Sequence, residues 1–247
     1  METQSRIQNL LSRVRLYRDW WKVIFPVNRV YNKFSKHFVT LRTGERFQIR
    51  DIFSSDLSII SEVFGQDVYR LGTLQLPPTP VILDVGAHIG AFSVAAHSHF
   101  KNARIIAFEP HPDNFVYLQR NAPFVQAVNA AITNTEGKAY LDSENRAASA
   151  YALGDRGLVV ETKSLRPYIE REKRVDLLKV DIEGAERGVF EGLSPELLFK
   201  LDRIFMEVHR PEDFSWFNAH FKANGFKVEV NDGILFASKT DAQDLRL

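Results

Sequence analysis

From residue 81 onward, short apolar runs alternate with longer stretches in which apolar positions recur every three or four residues. Val81–Val85 reads as a buried strand and Gly90–His99 as a helix. Arg104–Phe108 is a second strand, Pro112–Asn121 a second helix and Val125–Ile132 a third strand. Leu158–Thr162 is extended and Ser164–Glu170 helical. Val175–Val180 is a strongly apolar strand, interrupted only by Asp176 and Lys179. Ala185–Gly192 and Pro195–Lys200 follow as helices, Arg203–Val208 as a strand and Phe214–Ala223 as a helix. Phe226–Val230 and Ile234–Ala237 flank Asn231-Asp232-Gly233, a turn signal that predicts a closing antiparallel hairpin. The alternation predicts an α/β domain, a mostly parallel sheet with helices on both faces. Ligands of such sheets bind beyond the carboxyl ends of the strands, near the switch in strand order.

The first 80 residues follow another pattern. Ile7, Leu10, Leu11, Val14, Tyr17, Trp21, Ile24 and Phe25 fall at helical spacing, so residues 6–25 read as one amphipathic helix ended by Pro26. Its apolar stripe either packs on the body of the protein or lies on an anionic membrane surface, with Arg6, Arg13, Arg15, Arg18 and Lys22 toward the headgroups. His37–Leu41 and Arg46–Ile49 form a hairpin around Thr43-Gly44-Glu45, and a short helix follows at Leu57–Val63. Leu76-Pro77-Pro78-Thr79-Pro80 divides this N-terminal extension, residues 1–80, from the main domain, residues 81–247. A polar stretch over residues 141–157, with Ser143, Asn145, Arg146 and Ser149 between Gly154 and Gly157 hinges and the third strand, is expected to face a substrate.

Charge sharpens that division. The 247 residues carry 32 Lys/Arg against 31 Asp/Glu. Residues 1–50 hold 11 and 3 of these, so a basic segment joins a mildly acidic body. The near balance argues against a dedicated nucleic-acid binder. The absence of cysteine removes a disulfide scaffold, a thiolate zinc site and a cysteine nucleophile. No apolar run approaches the ~20 residues of a membrane span, and no secretory signal is read. The expectation is a cytoplasmic protein, with peripheral membrane contact open through residues 6–25.

Four motifs carry chemistry. Asp84-Val85-Gly86-Ala87-His88-Ile89-Gly90 follows the first strand of the main domain. It is Gly-x-x-x-Gly, where a dinucleotide fold wants Gly-x-Gly-x-x-Gly for its pyrophosphate. Asp84 would repel a pyrophosphate and could attract the ammonium of S-adenosylmethionine, which has no phosphate. Glu109, in Ala107-Phe108-Glu109-Pro110, ends the second strand, where a carboxylate can accept from both hydroxyls of a ribose. Asp181 and Glu183 emerge from the strand Val175–Val180, with Glu186 favouring the following helix start. Glu207 and His209 end the next strand two residues apart, hence on one face. These four groups can act as a base or hold a divalent cation, and the sequence leaves that choice open.

The loop 84–90, the Phe108-Glu109-Pro110 corner and Leu178-Lys179-Val180-Asp181-Ile182-Glu183-Gly184-Ala185-Glu186 together resemble the FkbM-type methyltransferases. The resemblance covers roughly residues 81–210. It implies a class I, Rossmann-like fold with a mostly parallel seven-stranded sheet and a C-terminal antiparallel hairpin, to which the N-terminal helix and hairpin are added. It also implies S-adenosylmethionine as cofactor and O-methylation of a small-molecule, glycan or lipid-linked hydroxyl. By that pattern Asp84, Val85, Gly86, Ala87 and Gly90 form the cofactor loop. Glu109 and Pro110 hold the ribose, and Ala131 and Ile132 lie near the adenine. Asp181 and Glu183 lie at the reacting end by the same pattern, and Glu207 and His209, read from the strand end itself, join them as catalytic candidates. His88 departs from the family, which commonly has asparagine there. A nicotinamide dehydrogenase and a non-catalytic membrane-associated binding protein remain the alternatives.

Overall fold

The computed structural model of the chain describes residues 14–24, 37–50, 54–141, 153–231 and 233–239. The N-terminal elements are α1 (Trp20–Ile24), β1 (His37–Thr40), β2 (Arg46–Ile49) and α2 (Asp56–Ile60), which runs on into a π-helical turn at Ser61–Gly65. From residue 81 the chain runs through β3 (Val81–Val85), α3 (Ala91–His99), β4 (Arg104–Phe108), α4 (Pro112–Asn121) and β5 (Gln126–Val128). Then come β6 (Ala131–Ile132), β7 (Gly137–Leu141), β8 (Leu153–Gly154), β9 (Leu158–Lys163) and α5 (Arg166–Glu170). It closes with β10 (Leu177–Val180), α6 (Glu186–Glu191), α7 (Pro195–Phe199), β11 (Arg203–Glu207), α8 (Phe214–Ala223), β12 (Phe226–Asn231) and β13 (Ile234–Lys239).

The main sheet has seven strands in the order β12-β13-β11-β10-β3-β4-β5. β5, β4, β3, β10 and β11 are parallel, and β13 and β12 add antiparallel to β11. Such a sheet is covered on both faces, so its strands read as near-continuous apolar runs. Alternate residues sort between the two sides. Ile82, Ala107, Leu177 and Phe205 join one cluster with α3 and the N-terminal elements, through Phe92, Phe47, Leu57 and Ile60. Leu83, Ile106, Leu178 and Ile204 join the other with α6 and α8, through Phe190, Phe217 and Phe221. The chain runs from β3 outward to β4 and β5, then returns to β10 on the other side of β3. The switch in strand order therefore lies between β3 and β10, and the four ends Val85, Phe108, Val180 and Glu207 share one edge of the sheet.

The third strand expected over Val125–Ile132 is two strands. It breaks at Asn129-Ala130, where Asn129 Nδ2 donates to the carbonyls of Glu109 (2.8 Å) and Pro110 (3.0 Å). β5 stays in the main sheet, and β6 leaves it for a four-stranded sheet ordered β6-β9-β7-β8. β7 has no counterpart in the sequence reading, because most of its residues are exposed and it lacks an apolar face. Of the stretch 141–157, residues 142–152 lie outside the described residues; Gly154 pairs with Tyr140.

The single helix expected over residues 6–25 is interrupted within its described part, residues 14–24. Tyr17 is fully buried and forms a β-bridge with Leu41, and its hydroxyl donates to the Leu57 carbonyl at 3.2 Å. Arg18 N–H donates to the Thr40 carbonyl at 2.7 Å. These backbone bonds to the hairpin compete with helical ones and win at Tyr17. Val23 is buried, whereas Trp21 is 53% exposed. No helix among the described residues is long and apolar enough to cross a membrane.

Candidate active site

A cavity of about 730 Å³ opens at the shared strand edge. Gly86, Ala87, His88, Glu109 and Pro110 line it on the β3–β4 side, and Asp181, Glu183 and Glu207 on the β10–β11 side. Ala131 and Ile132 also line it. The N-terminal elements supply a further wall, including Glu62, Tyr69 and Arg70. Among the described residues, the non-glycine residues with positive φ are Asp67, Arg70, His88 and Glu183, and every one of them lines this cavity. Backbone strain concentrates where a site over-determines the chain.

The loop after β3 is held from inside the protein. Gly86 and Ala87 N–H both donate to the Phe108 carbonyl, at 3.0 and 2.9 Å. His88 N–H donates to Glu109 Oε2 at 2.8 Å. Gly86 has φ 81°, and a Cβ there would lie 1.8 Å from the Asp181 carbonyl oxygen, so only glycine lets β3 and β10 approach this closely. Asp84, Val85 and Gly90 do not line the cavity. Asp84 has no exposed surface; it accepts from the Ser93 hydroxyl at 2.6 Å and lies 3.4 Å from Lys179 Nζ. The expected direct attraction of a ligand ammonium to Asp84 is therefore replaced by an internal role.

Lys179, from β10, is the hub beneath the loop. Its ammonium donates to the Gly86 carbonyl at 2.7 Å and sits between Asp84 and Asp181. Burial pulls its pKa down, but the charges of Asp181 and Asp84 outweigh that and hold it raised. The sequence reading assigned Lys179 no role; a lysine inside an apolar strand is the one signal that pointed toward it.

Glu109 is buried and its carboxylate is fixed by three donors: His88 N–H, His111 N–H at 2.9 Å and Asn114 Nδ2 at 3.3 Å. Burial lifts its pKa to about 7 against the opposing pull of those bonds. Oε1 accepts two of the donors and Oε2 one, which leaves acceptor capacity toward the cavity.

At the other end, His209 gathers carboxylates. Its Nδ1 lies 2.7 Å from Glu186 Oε1, and its Nε2 lies 3.2 Å from Glu183, 3.7 Å from Asp181 and 3.9 Å from Glu207. Burial opposes its protonation, but the Glu186 hydrogen bond and the charges of Glu183 and Asp181 raise its pKa to about 9. An imidazolium has no lone pair for a proton, and His209 does not line the cavity. At neutral pH it is thus not the base that its position in the sequence suggested; it orients the acids around it. Glu186, read as a helix-start charge, is its buried partner. Burial and neighbouring carboxylates raise the pKa values of Glu207, Glu183 and Glu62. Glu62 comes from the N-terminal elements, where no motif pointed to it.

Residues 84–231 match the family model described as the methyltransferase FkbM domain. The chain belongs to the FkbM methyltransferase family. This FkbM methyltransferase is 26% identical to Methyltransferase 1 of Beauveria bassiana, a match covering 75% of this chain and 90% of that protein. It is 24% identical to the hexuronic acid methyltransferase AglP of Haloferax volcanii, over 83% and 85% of the two chains. A 28% match to the AMB antimetabolite synthetase AmbE of Pseudomonas aeruginosa covers 63% of this chain but 10% of that protein. The crystal structure of Methyltransferase FkbM from Methylobacillus flagellatus shares the fold, with a TM-score of 0.52 at 16% identity, over 68% of this chain and 46% of that one. Membership of this family makes the chain a methyltransferase and sets aside the dehydrogenase and binding-protein alternatives.

Proposed function

We propose that this methyltransferase takes its methyl group from S-adenosylmethionine and transfers it to a hydroxyl of a small-molecule or glycan-type acceptor, lipid-linked ones included. The single observation that carries the donor is the state of the loop 86–88. Its three N–H groups are spent on Phe108 and Glu109, so the loop has none of them left for a pyrophosphate. A phosphate-free nucleoside cofactor suits it. The buried Glu109 carboxylate accepts from ribose hydroxyls, and Ala131 and Ile132 offer apolar contact to a base. Asp181 and Glu183, past the end of β10, suit a cationic sulfonium and ammonium.

When bound, the cofactor supplies an already activated methyl group, so the protein contributes alignment and exclusion of water. An alcohol must lose its proton as the new bond forms. We assign that proton to Glu207. It lines the cavity, and of the three cavity-lining acids beside the His209 imidazolium it lies farthest from that cation, so it is the least neutralised. Burial and Asp181 make it a stronger base than an ordinary glutamate. Asp181 and Glu183 stand beside the reacting atoms, and His209 keeps them apart and oriented.

A second reading is motivated by one feature: Asp181, Glu207 and His209 offer ligand atoms within 4.8 Å of one another. If His209 gives up its proton, these three could hold a divalent cation, which would lower the pKa of the acceptor hydroxyl. Its Nδ1 partner Glu186 would then fix the imidazole from behind. Assay with chelator and with added magnesium or manganese separates the two: the direct-base reading expects no loss with chelator.

The test of the function is incubation of the protein with extract and methyl-labelled S-adenosylmethionine, followed by mass spectrometry. The expected product carries the label on an oxygen. Label on nitrogen or carbon, or no labelled product from any extract, contradicts the proposal.

A further inference from the structure

The residue just beyond β2 reaches the cofactor end of the cavity without lining it. Arg50 lies outside the stretch 84–231 that matches the family, yet its guanidinium bonds to two of the three residues that present donors to Glu109, His88 in the loop after β3 and Asn114 of α4. Nη2 lies 2.9 Å from His88 Nε2, and Nη1 donates to Asn114 Oδ1 at 3.0 Å. Asp56 clamps the arginine: Oδ1 accepts from Nη2 and Nε at 2.5 and 3.0 Å, and Oδ2 accepts from the Arg50 backbone N–H at 2.7 Å. Asp56 has no exposed surface, and Asn114 is 1% exposed. The consequences are directional. A guanidinium only donates, so it fixes Asn114 with its oxygen toward Arg50 and its amide nitrogen toward Glu109. By the same reasoning it makes Nε2 of His88 the acceptor and leaves the ring proton on Nδ1.

We propose that Arg50 is a positioning residue of the cofactor site, holding the Asn114 amide and the His88 loop so that Glu109 presents its free acceptor capacity to the ribose. This rests on the reading of Glu109 given above. Arg50 thereby makes the N-terminal extension part of the cofactor site rather than a cover over it. Without the guanidinium, Asn114 is free to turn its oxygen toward the carboxylate, which removes one donor and sets a lone pair against the anion.

A role in packing alone would not change how Glu109 titrates, and this role does. A carboxylate that loses a donor becomes harder to ionise. The charged and titratable groups that bear on Glu109 and His88 are Lys179 and Asp181 from the end of β10, His111 at the start of α4 and Arg50 itself. Burial and Arg50 together hold His88 at about 3, so removing Arg50 also moves the His88 titration upward.

The experiment is calorimetric titration of S-adenosylmethionine across pH on the full chain, its Glu109→Ala variant, Arg50→Lys, and the double variant Arg50→Gln/Asp56→Asn. The double variant removes both charges of the pair together and guards against the unfolding that a lone buried Asp56 would cause. Thermal melting verifies the fold of each. The proposal expects affinity about tenfold lower in the double variant, partial loss in Arg50→Lys, and a pH midpoint of binding moved upward. NMR of the cofactor-free chain should show the His88 ring titrating at higher pH in the double variant. If Glu109→Ala weakens binding while both Arg50 variants keep the parent's affinity and midpoint, Arg50 has no positioning role. If the parent does not bind, or Glu109→Ala binds equally well, the reading of Glu109 fails instead, and an unmoved His88 titration then overturns the Arg50 contact on its own.

Discussion

At Glu109 the same burial acts in two directions. Its folded-state pKa of about 7 lies above the ordinary 4.5, so the carboxyl favours the folded chain at low pH and that contribution is lost as pH rises from 4.5 through 7. Ribose hydroxyls need the ionised form, so cofactor affinity should rise through the window in which this stability declines. Calorimetric titration of the cofactor below and above pH 7 checks the rise in affinity. Affinity that does not change through neutrality would remove Glu109 from the ribose. Gly86 presents a steric rather than an electrostatic limit. Gly86→Ala places a methyl 1.8 Å from the Asp181 carbonyl at φ 81° and forces β3 away from β10. The expected loss is about 3 kcal/mol, the sum of overpacking and a left-handed alanine. Urea unfolding measures it, and an alanine variant as stable as the parent would contradict the close approach.

At the scale of elements, β10 shows why strand patterns and site residues are legible to different degrees. Its apolar run was plain, because a strand covered on both faces has no polar side. So were Asp181 and Glu183 past its end. The part played by Lys179 was visible only as an interruption of the run, because its meaning depends on Asp84, a residue of the neighbouring strand. Lys179→Met should cost about 3–5 kcal/mol, since Asp84 would lose its buried counter-charge. A variant within 1 kcal/mol of the parent, on the order of an exposed pair, would show that the hub is not structural. His209 illustrates the opposite case. Its place beside Glu207 followed from a period of two, but its charge is set by Glu186, 23 residues earlier, which no local pattern links to it. Glu207→Gln should therefore lower kcat about a hundredfold or more and leave cofactor affinity unchanged. The reverse split, with kcat retained and binding lost, would move Glu207 from the acceptor to the donor side. β7 and β8 escaped sequence reading for a simpler reason: they belong to a small sheet, and β7 is largely exposed while β8 is only two residues long.

At the scale of the molecule, the mostly parallel main sheet and its closing hairpin followed from strand–helix alternation and a turn signal, whereas the use of the described N-terminal residues did not. Periodicity predicted a helix and a hairpin there. It could not show that Tyr17 would leave the helix for a bridge to Leu41, or that Glu62, Tyr69 and Arg70 would wall the cavity. Those outcomes depend on contacts across the whole fold. Burial of Tyr17 and Val23 favours packing over membrane contact for the described part of residues 6–25. Trp21→Ser should then leave co-sedimentation with anionic vesicles unchanged, and its loss would instead place that segment on a membrane. The central claim concerns the cavity itself, that the loop 86–88 and Glu109 hold S-adenosylmethionine. Calorimetric titration of that cofactor into the parent and the Glu109→Ala variant tests it most directly. The predicted result is one site per chain, weakened by about 1.5–3 kcal/mol in the variant through loss of charge-assisted bonds. No binding by the parent, or equal binding by a folded variant, would contradict it.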